Sequence, residues 1–298
     1  MYRNVTIDLN SQVLYKNLYQ TFCGHIDENI PGTFTYGDQF QARLIHQRPE
    51  EYDKNNNDHS KMILMDDQYD VLARFAQSGI KTIWYNPGGE IVNDELPLHD
   101  VDIGDLAALR TITTLLHKPS LAKCQEWWEE WNVPENIRRH STVVARSVYV
   151  LAVKMRTRGI SLDPILAHRA ALLHDIDKID TLEESGVHGV MGADFLTKQG
   201  FSEIAKIVRD HIMSTINHSD FENRSWENKL VFFCDKLVEG DELVPFDERL
   251  AALKIRYPHY VETMERAESA IWDLNEEICR ILEVSSHEAL IEMLRKVQ

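Results

Sequence analysis

The sequence predicts an α/β part followed by an all-α part, and two observations carry that division. Between residues 61 and 85 two apolar β-branched runs flank an amphipathic stretch, the pattern of a parallel βαβ unit. After Lys118-Pro119-Ser120 strand signals disappear and apolar residues recur at helical spacing. The expected organisation is an α/β domain over 1–118 and a helical bundle over 119–298, each large enough to bury a core.

In the first part Asn4-Val5-Thr6-Ile7-Asp8 reads as a short strand and Lys61-Met62-Ile63-Leu64-Met65 as a second. Val71, Leu72, Phe75 and Ala76 place one apolar face on a helix over 68–78, which Gly79 stops. Lys81–Tyr85 is a third strand, closed by the turn Asn86-Pro87-Gly88-Gly89. Residues 37–60 are polar and read as a loop or lid, and a helix is expected at about 104–117.

The second part opens with a helix capped by Ser120 and carrying Trp127, Trp128 and Trp131, whose spacing suits packing, including against the first domain. Pro134 stands where a first-turn proline is tolerated. The helix it opens runs past His140 to Arg158-Gly159, with Val143, Val144, Ser147, Val150 and Leu151 inward. A helix from Asp163 to Asp175 follows, then others near 188–199, 201–213, 226–239 and 261–282. Ser285 with Glu288 forms a capping-box pattern for the last one.

Lys and Arg number 32 against 48 Asp and Glu, a net charge of −16, which argues against a general nucleic-acid binder. The four cysteines (Cys23, Cys124, Cys234, Cys279) show no CxxC spacing, so neither a disulfide framework nor a cysteine zinc site is indicated. No apolar leader or membrane-length run is present, and a cytoplasmic protein is expected.

The residues that carry chemistry gather in the helical part. Ala170–Leu173 is an apolar run that ends abruptly in His174-Asp175, followed by Lys178. Ionisable groups at the end of a buried run need partners, and a metal ion serves imidazole and carboxylate together. Asp235 is an acid set into the apolar run Leu230–Cys234, where an isolated carboxylate would be costly by several kcal/mol. His140, His188 and His211 stand near the start or end of predicted helices. His168 and His218 read as ordinary polar residues.

The order His140, His174-Asp175, His188, His211, Asp235 resembles the HD-domain metal-dependent phosphohydrolase superfamily over roughly residues 120–250. His174-Asp175-Ile176-Asp177-Lys178 is similar to the family signature His-Asp-Ile-Gly-Lys, with Asp177 in place of glycine. The resemblance implies that His140, His174, Asp175 and Asp235 hold one metal ion. His188 and His211 match the dinuclear members, in which Asp175 bridges to a second. Iron, manganese or zinc would suit such ligands. A metal-bound hydroxide would be the nucleophile, with Asp175 and Lys178 at the catalytic centre. Lys178, Arg146, Lys236 and Arg249 are the cations expected to meet substrate charge, Lys178 with a salt bridge to Asp177 or a nearby acid as its other reading. The expected partner is a small phosphorylated, nucleotide-like molecule, with diadenosine tetraphosphate the nearest pattern. No nucleic acid and no membrane are expected, and a homodimer is allowed. Two other readings stand beside this one: a nucleotide-binding sensor that uses the pocket without turnover, and a phosphatase seated in the first domain.

That last reading arises because residues 61–105 resemble the C-terminal part of haloacid dehalogenase-like (HAD) phosphatases. Leu64-Met65-Asp66-Asp67-Gln68-Tyr69-Asp70 is similar to their acidic magnesium motif, and Gly79–Asn86 and Leu98–Ile103 continue the likeness. An active member needs an aspartate nucleophile with a second acid two residues on. Here Asp8 is followed by Asn10, so the segment is expected to be degenerate, with a docking or regulatory role.

Overall fold

The computed structural model describes residues 63–92, 96–179 and 188–297, together with the backbone of four strands within 5–44. The chain divides into two compact units, one comprising Met1–Val92 and Pro97–Ser120, the other Asn93–Leu96 and Leu121–Gln298.

The first unit holds a seven-stranded sheet in the order β2-β3-β4-β1-β5-β6-β7. Strands β1 (Val5–Leu9), β4 (Phe40–Leu44), β5 (Ile63–Asp66), β6 (Lys81–Tyr85) and β7 (Val101–Ile103) run parallel. The hairpin partners β2 (His25–Ile26) and β3 (Thr33–Tyr36) add an antiparallel edge. The predicted βαβ unit is β5, helix α1 (Tyr69–Gln77) and β6. Strand β5 is buried along its whole length, and Leu72 and Phe75 of α1 pack with Leu64, Ile80 and Trp84. Gly79 ends the helix at φ +79°, a conformation that favours glycine.

Two expectations for this unit need correction. Residues 40–44 form β4 rather than part of a loop, because Phe40, Ala42 and Leu44 alternate with polar residues at strand period inside a polar stretch. The rest of 37–60, with Asn4 and Asn10, lies outside the described residues. The helix expected at 104–117 is a 3-10 helix, Leu106–Thr111, running into the short α2 (Ile112–Leu115), since the run Thr111-Ile112-Thr113-Thr114 is poor in helix formers.

The second unit is mostly helical. Its described helices are α3 (Leu121–Glu130), α4 (Glu135–Thr157), α5 (Pro164–Leu173), α6 (Val190–Lys198), α7 (Ser202–Asp210), α8 (Trp226–Asp235), α9 (Phe246–Arg256), α10 (Val261–Leu282) and α11 (His287–Arg295). Asp163 caps α5 by accepting from the amides of Ile165 and Leu166, both at 3.0 Å. The paired α4 and α5 form the centre, with α8 against both. Their buried residues include Val144 to Val153 and Ala170 to Leu173.

The unit is not wholly helical as expected. Helix α8 stops at Asp235, and a two-residue Gly240-Asp241 turn joins β8 (Val238–Glu239) to β9 (Glu242–Leu243). Glycine suits that turn, where φ is +62°. Helix α9 was not anticipated, and α11 is capped by Ser286, one residue beyond Ser285. The tryptophan face packs within this unit: Trp127 meets Phe195 and Phe201, and Trp131 meets Phe195.

Trp128 has a more specific task. A helix leaves the carbonyls of its last turn without intrahelical donors. At the end of α5 the Leu172 carbonyl accepts from Trp128 Nε1 at 3.0 Å, and the Leu173 carbonyl from the Ile176 amide at 3.2 Å. Trp128→Phe keeps the ring and removes the donor, which should lower stability by about 1–3 kcal/mol. An unchanged Tm in thermal unfolding would show that the bond contributes nothing.

Candidate metal centre

The residues of the site stand where helices end. His140 lies in the second turn of α4, His174 caps the C-terminus of α5 with Asp175 after it, and His211 caps α7. Asp235 is the last residue of α8, and His188 precedes Gly189, the N-cap of α6. The C-terminal ends of α5, α7 and α8 thus converge, and helix C-termini carry partial negative charge that favours a cation.

Each imidazole is oriented through its Nδ1. That atom donates to the Ala171 carbonyl in His174 at 2.7 Å and to the Val208 carbonyl in His211 at 2.5 Å. In both cases the acceptor is a last-turn carbonyl of the helix that the histidine ends. His140 Nδ1 donates to the Gly240 carbonyl on the β8–β9 turn at 2.8 Å, and His188 Nδ1 to Asp177 Oδ1 at 2.8 Å. A carbonyl can only accept, so the proton on Nδ1 is settled in three of the four rings. All four Nε2 atoms then turn to the same place.

There they meet two carboxylates. His140 Nε2 lies 3.1 Å from Asp235 Oδ1 and 3.8 Å from Asp175 Oδ2. His174 Nε2 lies 3.5 Å from Asp235 Oδ1 and 3.6 Å from Asp175 Oδ2. On the other side of Asp175, its Oδ1 is 2.9 Å from His188 Nε2 and 3.7 Å from His211 Nε2. The two halves therefore share Asp175, one oxygen to each. His140, His174 and Asp175 form one group able to hold a metal ion, Asp175, His188 and His211 a second, and His174, His211 and Asp235 a third.

The fit to a cation rests on His174. Its Nε2 is buried without a hydrogen-bond partner among the described residues, and with the proton on Nδ1 it presents a lone pair to two anionic oxygens. Lone pair facing carboxylate is unfavourable unless positive charge stands between them. Neutral imidazole nitrogen and carboxylate oxygen suit borderline divalent metals, which agrees with that demand.

The electrostatics point the same way. Burial alone would raise the carboxyl of Asp175, but Lys178 and the surrounding histidines hold it well below the usual range. Asp235 behaves alike, with burial outweighed by Lys236, His140 and His174. Burial pulls His188 down, yet its bonds to Asp175 and Asp177 push it up to about 9. His211, whose burial is reinforced by the neighbouring histidines, falls to about 4. The two acids draw positive charge to this point, and His188 is where a proton answers.

Of the cations expected to meet substrate, only Lys178 stands beside the cluster and half open to solvent. Its Nζ pairs with Asp175 rather than Asp177, and its side chain is 29% exposed, close to the 30% of His188. Lys236 is buried, bracing Asp235 and donating to the His211 carbonyl at 3.0 Å. Arg146 donates through Nε to the Val297 carbonyl at 2.8 Å. Arg249 pairs with Glu239, which also binds Arg256 and so steadies the hairpin under His140. His168 is buried against Arg169 and Tyr149, and His218 is exposed; neither joins the cluster.

Three contributors escaped the reading of the sequence. Gly240, Ala171 and Val208 act through backbone carbonyls, which leave no residue-type signal. From the sequence Asp177 reads as a replacement for glycine or a salt-bridge partner of Lys178; its bond to His188 does not follow from the pattern.

This geometry defines a buried His/Asp centre, in a helical unit, that could hold metal ions. Residues 137–239 match the family described as HD domain. An uncharacterized protein of Methanocaldococcus jannaschii is 30% identical over 160 residues, half of this chain and 90% of that one. Ribonuclease Y of Clostridium kluyveri is 33% identical over 105 residues, and that of Alkaliphilus metalliredigens 34% over 103. Each of those matches covers 35% of this chain but only 18% and 20% of the ribonuclease. No solved structure matches significantly. The chain carries an HD domain and belongs to one family with the M. jannaschii protein. An HD domain indicates a metal-dependent hydrolase of the phosphohydrolase type. Among the described residues no helix is long and apolar enough to cross a membrane.

Asp235→Asn removes one anionic charge and turns an amide toward His140 and His174. Protein purified without chelator should then hold fewer metal ions per chain than the parent, read by inductively coupled plasma mass spectrometry. An unchanged metal content would remove Asp235 from the ligand set.

Proposed function

We propose that this chain hydrolyses a phosphate ester or anhydride of a nucleotide, using divalent metal held by His140, His174, Asp175, Asp235, His188 and His211. The supporting observation is the asymmetry of burial around the centre. His140, His174, His211, Asp175 and Asp235 are buried, whereas His188 and Lys178 are half open. Substrate has one approach among these residues, past an imidazole and an ammonium, both of which suit a phosphate.

When bound, the metal supplies an activated water and charge that polarises a phosphoryl oxygen. The residues of this chain do the rest. The Nδ1 bonds fix the ligand directions before substrate arrives, so no reorganisation is needed at the reacting centre. Lys178 is held in its charged form: burial opposes the charge, and Asp175 and Asp235 restore it. It can turn from Asp175 to a phosphoryl oxygen without leaving the site. Lys236 offsets the charge of Asp235 and keeps it aimed at His140 and His174.

A small nucleotide is favoured over a long nucleic acid by the net charge of −16, which opposes binding of an extended phosphate backbone. Diadenosine tetraphosphate is the first candidate among dinucleoside polyphosphates. The likeness to ribonuclease Y favours a second reading, cleavage of a phosphodiester in RNA. The α/β unit is taken as a degenerate HAD-like domain of docking or regulatory role.

A panel of mono-, di-, cyclic and dinucleoside polyphosphates and a short RNA, assayed with manganese or iron, tests the proposal. Turnover of a small nucleotide, abolished by Asp175→Ala and retained in Asp8→Asn, is the expected result. Lys178→Ala should lower the rate by about 100–1,000-fold, the range for removal of one charge-stabilising donor. Binding without turnover would identify a sensor, RNA cleavage alone would favour the ribonuclease reading, and loss of activity in Asp8→Asn alone would move the chemistry to the first unit.

A further inference from the structure

His188 differs from the other three histidines in what holds it. They hang from backbone carbonyls, whereas His188 precedes the first turn of α6 and takes its direction from a side chain. We propose that Asp177 is the positioning residue that creates the second cation position, at His188, His211 and Asp175. This rests on the metal-centre reading above.

Asp177 is fully buried, and donors from the start of α6 turn to it. Its Oδ1 accepts from His188 Nδ1 at 2.8 Å and from the Gly189 amide at 3.2 Å, and its Oδ2 from the Gly192 amide at 2.8 Å. The carboxylate reaches these groups because the start of α6 is bare. A Cβ on Gly192 would stand 2.7 Å from Ile176 Cγ2 and 3.4 Å from Asp177 Oδ2. Gly189 adopts φ +81°, and a Cβ there would meet the Val208 carbonyl, the acceptor of His211, at 3.1 Å. Two glycines therefore let one buried acid dock against the first turn of α6 and seize the ring in front of it.

The consequence concerns His188 alone. An imidazole that donates to a carboxylate is a stronger ligand than one that donates to a carbonyl or to water, and its ring cannot swing away. His188 is the most exposed of the ligand histidines, so it has the most freedom to lose. Glycine at position 177, as in the signature this stretch resembles, would supply no acceptor. In the other position His140 and His174 face Asp175 and Asp235 directly.

Capping of α6 is the competing role, and a double-mutant cycle separates the two. Manganese(II) alone serves as probe, with binding measured by calorimetry and by metal content after dialysis, on the full chain. The parent should bind two ions. Asp177→Ala should keep the first and bind the second about 10–100-fold more weakly. His188→Ala should do at least as much, and the double variant should lose nothing beyond His188→Ala, because Asp177 acts through that ring. Asp177→Asn retains a neutral acceptor and should show a smaller loss in the same direction, which covers the case in which the alanine variant does not fold. Equal weakening of both ions, losses that add in the double variant, or a parent that binds one ion would overturn the assignment. Two ions in the parent with no hydrolysis of any substrate would leave it standing and sink the hydrolase reading instead.

Discussion

The structure depends on what happens to the last carbonyls of a helix. A buried helix end is tolerable only if those oxygens find donors, and at α5 and α7 an imidazole is among the donors. The bond from Nδ1 to the carbonyl three residues back satisfies the backbone and settles the tautomer. It also points Nε2 beyond the helix end, into the space where α5, α7 and α8 meet. Capping and imidazole orientation are one interaction here. The cluster is therefore as rigid as the helices that carry it, and ordering it takes little beyond the folding of the bundle.

Burying two carboxylates in that space is costly unless each is compensated, and the compensation is uneven in a telling way. Lys236 lies behind Asp235, buried, and binds the His211 carbonyl as well, so its charge is locked into the wall. Lys178 sits beside Asp175 at the open side. One lysine is buried in the wall and the other stands partly exposed beside its acid. Arg146 and Arg249, placed with them by residue type alone, bind the Val297 carbonyl and Glu239. Charge near a site in sequence says nothing about which way a long side chain turns.

The same distinction governs how much was legible in the sequence. His140, His174, Asp175, His211 and Asp235 could be picked out because each interrupts or ends a helix, a violation that needs a physical reason, and His188 because it leads one. Their convergence followed from order and from a family likeness. The acceptors behind them did not, since a carbonyl of alanine, valine or glycine has no signature. The βαβ unit was legible because β5, α1 and β6 are local and strongly patterned. The pairing of β4 with β1 joins residues 35 apart in sequence, and a polar setting concealed its alternation. The β8–β9 hairpin was hidden by its brevity, two residues on each side of Gly240-Asp241.

That hairpin shows why a bundle needs an irregular piece. His140 lies inside α4, where every carbonyl within reach of its own backbone already accepts a helical bond. No last-turn oxygen can orient its ring, so the acceptor must come from elsewhere, and a turn is the cheapest source of an unpaired carbonyl. Gly240 supplies one at φ +62°, five residues after Asp235, so one short segment places both the carboxylate and the acceptor against the same imidazole. Glu239, pinned by Arg249 and Arg256, and Asp241, 2.9 Å from Arg139, hold the turn from both sides. His140 and His188 are the two histidines of the cluster that no helix end can aim, and each has its own acceptor: a glycine carbonyl for one, the Asp177 carboxylate for the other.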